Sequence, residues 1–167
     1  IASGSLGQGM SVAIGAAYAK KLNKDNSTVY VLMGDGEQQE GQVWEAATFA
    51  PHHEMDNLIA FIDLNGQQID GPTVKVMNNR DLGAKYSAFG WEVISVEDGN
   101  DMAAVVKGVK EAKSKLGQGK PVMVLLHTGM GYGVDFMMGS HKWHGVAPND
   151  AQLAEALGQL EETLGDY

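Results

Sequence analysis

An α/β domain, with a mostly parallel sheet and helices on both of its faces, is the fold this sequence predicts, and three observations carry the expectation. Apolar runs of strand length begin near residues 28, 58, 91 and 122. A helix-forming stretch fills each interval, and a period of about thirty residues is what strand–helix–strand units require. Two polar clusters, Gly34-Asp35-Gly36 and Asp63-Leu64-Asn65-Gly66, follow directly on the first two runs. In open sheets of this class, ligands bind at the edge just past the carboxyl ends of the strands.

Taken in order, Ser3 to Gly9 is a glycine loop that leads into an alanine-rich stretch over 10–22. Lys20 and Lys21 near its end and Asn23 after it fit a helix whose amino terminus points back at the loop. Such a terminus can hold an anion through unpaired amides and the helix dipole, although the loop alone equally describes a plain helix start. Thr28 to Met33 is the first strand. Glu40 to Ala50 reads as a helix closed by Pro51, with Val43, Trp44 and Ala47 turned inward. Glu40 and Glu45 fall on different faces, and by themselves they read as solvated charges, because glutamate is almost never buried unpaired.

Leu58 to Asp63 is the second strand, Asn79 to Phe89 a shorter helix, and Trp91 to Val96 the third strand. Asp98-Gly99-Asn100-Asp101 caps the next helix, in which Met102, Val105, Val106, Val109 and Ala112 form an apolar stripe expected to be core. Pro121 introduces the fourth strand, Val122 to His127. A closing helix begins near Pro148-Asn149-Asp150 and carries Leu153, Leu157, Leu160 and Leu164 on one face. Between them, Gly129 to Asn149 is too long for a routine connection, and segments of that kind are usually functional or disordered. Its place after a strand's carboxyl end predicts that it lines the site. His141 and His144 within it have no third ligand nearby, which argues against a zinc site.

Composition narrows the function classes. At 167 residues the chain is expected to be a single domain, 1–167, large enough to bury a sizeable core. A formal charge of −9 and the absence of a dense basic run argue against nucleic acid as a partner. No cysteine is present, which excludes disulfides and thiolate chemistry and is compatible with a cytoplasmic protein. The longest apolar runs, such as 122–126, are far short of a membrane span. Because the sequence opens at Ile1 without methionine and runs straight into a glycine loop, it is expected to be a fragment or trimmed product lacking an N-terminal portion.

The two clusters together suit a divalent cation carrying a diphosphate. Glycines on both sides of Asp35 let the backbone turn sharply and approach phosphate oxygens, while Asp35 and Asn65 offer one charged and one neutral oxygen. Asp, Asn and Gly are also what ordinary strand-ending turns use, so either cluster alone leaves that alternative open.

The phrases around the clusters carry more. Gly34-Asp35-Gly36 followed after an interval by Asn65 resembles the signature of thiamine diphosphate enzymes. Gly4-Ser5-Leu6-Gly7-Gln8-Gly9, Gly36-Glu37-Gln38-Gln39-Glu40-Gly41, Asp63-Leu64-Asn65-Gly66-Gln67-Gln68-Ile69-Asp70-Gly71, Ala88-Phe89-Gly90-Trp91, Gly131-Tyr132-Gly133-Val134 and Trp143-His144-Gly145 occur in an order similar to that of transketolase. The likeness is to the diphosphate-binding, amino-terminal half found as a separate chain in split transketolases, and it runs from about Gly4 to Asp150.

The resemblance implies that Asp35 and Asn65 bind Mg²⁺ through their side chains and Gln67 through its main-chain carbonyl, with Ca²⁺ able to substitute. It implies that Gly34 and Gly36 meet the diphosphate, that Gly4 and Leu6 contact the cofactor, and that Ile69 and Met130 pack near its rings. His144 would contact substrate hydroxyls and move their protons. Glu40 and Glu45 would join a network across an interface to a neighbouring active site, which reverses the reading of them as solvated charges.

The implied reaction moves a two-carbon ketol unit from a ketose phosphate to an aldose phosphate. The glutamate that activates the aminopyrimidine, most basic residues for substrate phosphate, and the family's upstream histidines have no counterpart here. A pyrimidine-binding partner chain, homo- or hetero-oligomeric assembly, and inactivity of the isolated chain are therefore expected. Two alternatives stand beside this: another thiamine diphosphate enzyme, such as a deoxyxylulose-phosphate synthase, or a non-catalytic cofactor-binding remnant.

Overall fold

The structure is a computed structural model and describes residues 4–161. Its elements in chain order are helix α1 (Gly9–Leu22), strand β1 (Val29–Gly34), helix α2 (Gly41–His52), strand β2 (Leu58–Leu64) and a small hairpin of β3 (Gln67–Gln68) and β4 (Gly71–Pro72). There follow α3 (Thr73–Val76), α4 (Leu82–Phe89), β5 (Glu92–Val96), α5 (Met102–Ser114), β6 (Val122–His127) and α6 (Asp150–Gln159). One-turn 3₁₀ helices lie over Gly36–Gln39 and His141–Trp143.

The main sheet has four strands in the order β1-β2-β6-β5. Every neighbouring pair is parallel. Right-handed crossovers then fix which face each helix takes. Steps from β1 to β2 and from β2 to β5 advance across the sheet, and α2 and α4 cover one face. The step from β5 back to β6 runs the other way, and α5 covers the opposite face. Helices on both faces are thus as the sequence predicts.

Strand alternation divides the core accordingly. Met33, Leu58, Ala60, Ile62, Met123 and Leu125 pack under α1, α2 and α4, together with Met10, Ala17, Val43 and Tyr86. Ile59, Ile94, Val96, Val122 and Val124 pack under Ala112 of α5. Each fully buried aliphatic or aromatic side chain stabilises the fold by roughly 1.5–3 kcal/mol relative to exposure. Coverage of the second face stops short of β1, where Tyr30 and Leu32 stay exposed and Tyr30 stacks on Phe61 at 6.5 Å.

Three helix expectations need correction, each for a specific physical reason. Pro51 does not close α2, which continues to His52. A proline there cannot donate to the carbonyl four residues back, but the Trp91 indole does so instead, with Nε1 2.9 Å from Ala47 O. The helix expected from Asn79 begins at Leu82, because Asp81 caps it by accepting from Ala84 N at 2.8 Å. Residues 78–80 lie outside any helix, with Arg80 N donating to Asn78 Oδ1 at 2.7 Å and Arg80 at a left-handed φ of 56°.

In α5 the buried positions are Gly108 and Ala112, whereas Met102 and Val106 of the expected core stripe are exposed. A Cβ at Gly108 would lie 2.6 Å from Val96 Cγ2. The helix therefore sits on the sheet through its smallest side chains and leaves Val105 and Val109 half-buried.

Closing helix α6 starts where expected, with a reciprocal capping box between Asn149 and Gln152. Leu153 and Leu157 are exposed on it, as is Leu160 just past its end, while Ala156 is buried; Leu164 lies outside the described residues. No described helix is long and apolar enough to cross a membrane.

Candidate functional site

Parallel pairing places Gly34 opposite Asp63, so the ends of β1 and β2 stand side by side at the carboxyl edge. The ladder extends one step further through Asp35 N–H, which donates to Asp63 O at 3.2 Å. Beyond it the Asp35 carboxylate spans the two strand ends. Its Oδ1 accepts from Gly36 N at 2.7 Å and its Oδ2 from Gly66 N at 2.7 Å. Gly66 supplies that amide from a turn with φ 73°.

Asp35 is buried, and its pKa is raised above the ordinary value. Burial is the main cause, and the Asp63 charge adds to it, against the lowering effect of the two amides. Ionised Asp35 is therefore a cost to the folded protein in the absence of a cation.

Asn65 is oriented from below. Its Nδ2 donates to Asp63 Oδ2 at 3.0 Å, while the other Asp63 oxygen accepts from the Thr128 hydroxyl. The amide is thereby fixed with Oδ1 on the side where Gln67 N donates at 2.9 Å. Gln67 Oε1 is buried with no hydrogen-bond partner among the described residues. A buried acceptor of that kind is available to a bound group or water. Gly36 is closely confined: a Cβ there would meet Gln68 Cβ at 2.9 Å. Open space surrounds the Cβ positions of Gly34 and Gly66.

A cleft of about 610 Å³ opens beside this edge, bounded by Asp35, Gly66, Thr73, Arg80, Ser95 and His127. Among the described residues no group of three or more His, Cys, Asp or Glu side chains could hold a metal ion. One carboxylate and one amide oxygen leave most of an octahedral Mg²⁺ shell to be filled by the ligand and water, which fits a cation that arrives with a diphosphate.

The other sequence-derived residues are distributed around this edge. Gly4 and Leu6 are exposed in the opening loop, and Ile69 is exposed at the tip of the β3–β4 hairpin. The hairpin is tied back by Gln39, whose Nε2 donates to Gln68 Oε1 at 2.6 Å and Met77 O at 2.8 Å. Met130 is half-buried where the long segment leaves β6, and its carbonyl accepts from Gly139 N at 2.9 Å. That segment folds back so that the 3₁₀ turn His141–Trp143 lies against β4. His144 follows the turn and is exposed.

Glu40 is the N-cap of α2 and exposed, with its side chain packed over Gly7. Glu45 is not brought to the Asp35 cleft. It borders a separate, mostly apolar hollow of about 340 Å³ between α1 and α2, with Ile14, Tyr18 and Phe49.

Several supporting residues were not singled out from the sequence. Asn79 Nδ2 donates to Asp35 O at 2.7 Å. Gln38 is fully buried, with its Nε2 on Gly34 O at 3.0 Å and its Oε1 accepting from Tyr86 OH at 2.6 Å. Tyr86, buried and near Glu37, has its phenol pKa pushed up. Glu37 is buried too. Glu37-Gln38-Gln39 lies inside a phrase that carries the family resemblance, and a polar run that short between a buried strand and a buried helix was a further signal of a role for its side chains.

The sequence of this chain matches the family model described as transketolase, thiamine diphosphate binding domain, over residues 1–163. The chain belongs to that transketolase family. Among curated relatives, the 6-deoxy-6-sulfo-D-fructose transketolase subunit SqwG of a Clostridium species is 42% identical over 160 residues, covering 96% of this chain and 57% of its own length. An apulose-4-phosphate transketolase subunit from Phocaeicola vulgatus is 38% identical over 162 residues, covering 97% of this chain and 57% of its own length. This transketolase-family chain thus spans little more than half the length of these relatives.

Among solved structures, transketolase from Campylobacter jejuni superposes with a TM-score of 0.85 at 34% identity, over 95% of this chain and 26% of that one. The parallel sheet with its helices is therefore the transketolase fold in this region.

Proposed function

We propose that this chain is the thiamine diphosphate- and Mg²⁺-binding part of a transketolase, moving a two-carbon ketol unit between sugar phosphates together with a pyrimidine-binding partner chain. The observation that carries this reading is the position of Asp35 and Asn65 just past adjacent, paired strand ends, with the Gly66 amide next to Asn65 donating to the Asp35 carboxylate. Asp35 and Asn65 would hold Mg²⁺, or Ca²⁺ in its place, with the Gln67 carbonyl. Gly34 and Gly36 would let the diphosphate approach the backbone, and Gly4, Leu6, Ile69 and Met130 would border the rest of the cofactor. When bound, thiamine diphosphate supplies the electron sink for carbon–carbon cleavage.

His144 has the chemistry to take and return a substrate hydroxyl proton near neutral pH. Glu40 and Glu45, both exposed in this chain, would be buried by a partner, which makes the working protein an oligomer. A cysteine-free chain suits the cytoplasm. The functional test pairs this chain with the pyrimidine-binding chain isolated from the same cells and assays ketose and aldose phosphates with Mg²⁺. Turnover is expected only when both chains and the cofactor are present. Turnover by this chain alone, or none by the pair with any donor and acceptor, contradicts the reading.

A pH dependence follows from Asp35. Its raised pKa means the folded, metal-free protein holds that proton more tightly than the unfolded chain does, so this group's contribution to stability falls as pH rises from the ordinary carboxylate range through the raised value. Mg²⁺ with thiamine diphosphate removes the penalty by compensating the anion. Stabilisation by the ligand pair is therefore expected to grow with pH across that window and level off above it. Urea unfolding at a series of pH values, with and without the pair, measures this directly, and a ligand effect that shrinks with rising pH would count against metal binding by Asp35.

A further inference from the structure

Glu37 is a buried acid that none of the roles above uses. It is 7% exposed, and no described lysine, arginine or histidine pairs with it. Two backbone amides meet its carboxylate instead. Gly7 N donates to Oε1 at 2.8 Å and Gly34 N donates to Oε2 at 3.1 Å. Gly7 follows Leu6 in the opening loop, and Gly34 precedes Asp35 at the end of β1. One carboxylate thus joins two segments far apart in sequence that border the cofactor site.

Residue type matters here. Each oxygen faces an N–H donor, and among side chains of this length only an ionised carboxylate offers two acceptors and no donor. Gly7 is held closely from its other side as well, with φ 85° and a would-be Cβ only 3.0 Å from the Glu40 side chain. Glu37 itself starts from a fixed platform, because the adjacent Gln38 is fully buried and bonded to Gly34 O and Tyr86 OH.

We propose that Glu37 is a positioning residue that clamps the glycine loop to the Asp35 turn and so sets the placement of Gly4 and Leu6 over the cofactor. This rests on the cofactor-binding reading above for its consequence, though not for the clamp. The paired hydrogen bonds hold the loop where its backbone can meet the cofactor without first being ordered, so loss of the clamp weakens binding more than it weakens the fold.

Hydrogen exchange and cofactor titration together test this, using this chain with its partner for the titrations. In the wild-type protein the Gly7 and Gly34 amides should exchange slowly. In Glu37→Gln, which keeps the volume but turns an NH₂ toward one of the amides, exchange at Gly7 should rise about tenfold or more while core-strand amides are unchanged, and affinity for thiamine diphosphate with Mg²⁺ should fall about tenfold. Glu37→Asp keeps the charge but loses reach, and should behave as Glu37→Gln does.

Fast exchange at Gly7 in the wild type, or wild-type affinity in both variants, overturns the proposal. Equal acceleration of every core amide with affinity unchanged in the folded fraction also overturns it, since that is general destabilisation. If the wild-type pair binds no thiamine diphosphate, the functional reading fails, and the exchange at Gly7 in wild type and variants still decides the clamp.

Discussion

Replacing Asp35 with alanine should abolish the response of the protein to its cofactor. Mg²⁺ and thiamine diphosphate at a hundredfold excess over Kd are expected to stabilise the wild type by about 2.7 kcal/mol, a melting shift of roughly 5–10 °C for a domain of this size. In Asp35→Ala the shift should vanish. The metal-free variant is subject to two opposing effects. It is relieved of a buried carboxylate whose ionisation is a cost, yet the Gly36 and Gly66 amides lose their acceptor. Its melting temperature in the absence of ligand is therefore the weaker readout, and the difference made by the ligand pair is the one to measure. An undiminished shift in Asp35→Ala would remove this residue from the site.

Gly131→Ala should loosen the long segment after β6. Gly131 has φ 72°, and a Cβ there would lie 2.5 Å from Met137 O and 2.6 Å from Met137 C. Those are backbone atoms, so no rotamer change relieves the contact, and left-handed strain adds about 1–3 kcal/mol for a residue with a side chain. The bonds that fold the segment back, Met137 N to Val134 O at 3.0 Å and Gly139 N to Met130 O at 2.9 Å, would open with it. Because Met130 begins this segment and His144 lies beyond it, both should lose their fixed places. Thermal unfolding should fall by several degrees, and amide exchange over residues 130–140 should accelerate. An unchanged melting point with native exchange in that segment would show that the contact relaxes elsewhere.

What could be read from the sequence, and what could not, divides along physical lines. Strand runs such as Leu58 to Asp63 were legible because both faces are buried, which demands continuous apolar sequence. The Gly34-Asp35-Gly36 and Asn65-Gly66 clusters stood out because strand ends that carry polar side chains into a site need residues that also turn the chain. Pro51 misled because its effect depends on a partner, the Trp91 indole, forty residues away in sequence and invisible to local reasoning. The α5 stripe misled because hydrophobicity favours Val106, whereas close approach to Val96 favours Gly108.

Support for the site was the least legible part. Asp63 holds Asn65 from two residues away and is itself held by Thr128 from the end of β6, and Glu37 acts on Gly7 across thirty positions. Asp63 and Glu37 fall inside phrases that stand out in the sequence, but the atoms they hold, and the part played by Thr128, depend on the folded arrangement. The β3–β4 hairpin was missed for a simpler reason: strands of two residues leave no periodicity to read.

Asp35 and Asn65 are proposed to hold a divalent cation that comes with a diphosphate. Mn²⁺ makes the most direct test, as a paramagnetic substitute for Mg²⁺ followed by electron paramagnetic resonance in the chain with its partner, with and without thiamine diphosphate. With the cofactor, one tightly held ion per chain is expected in the wild type, and tight binding should be lost in Asp35→Ala and in Asn65→Ala. Without the cofactor, binding should be weak, because the protein gives only two side-chain oxygens. Tight Mn²⁺ binding that survives both substitutions, or that needs no diphosphate, would show that these two residues do not hold the ion.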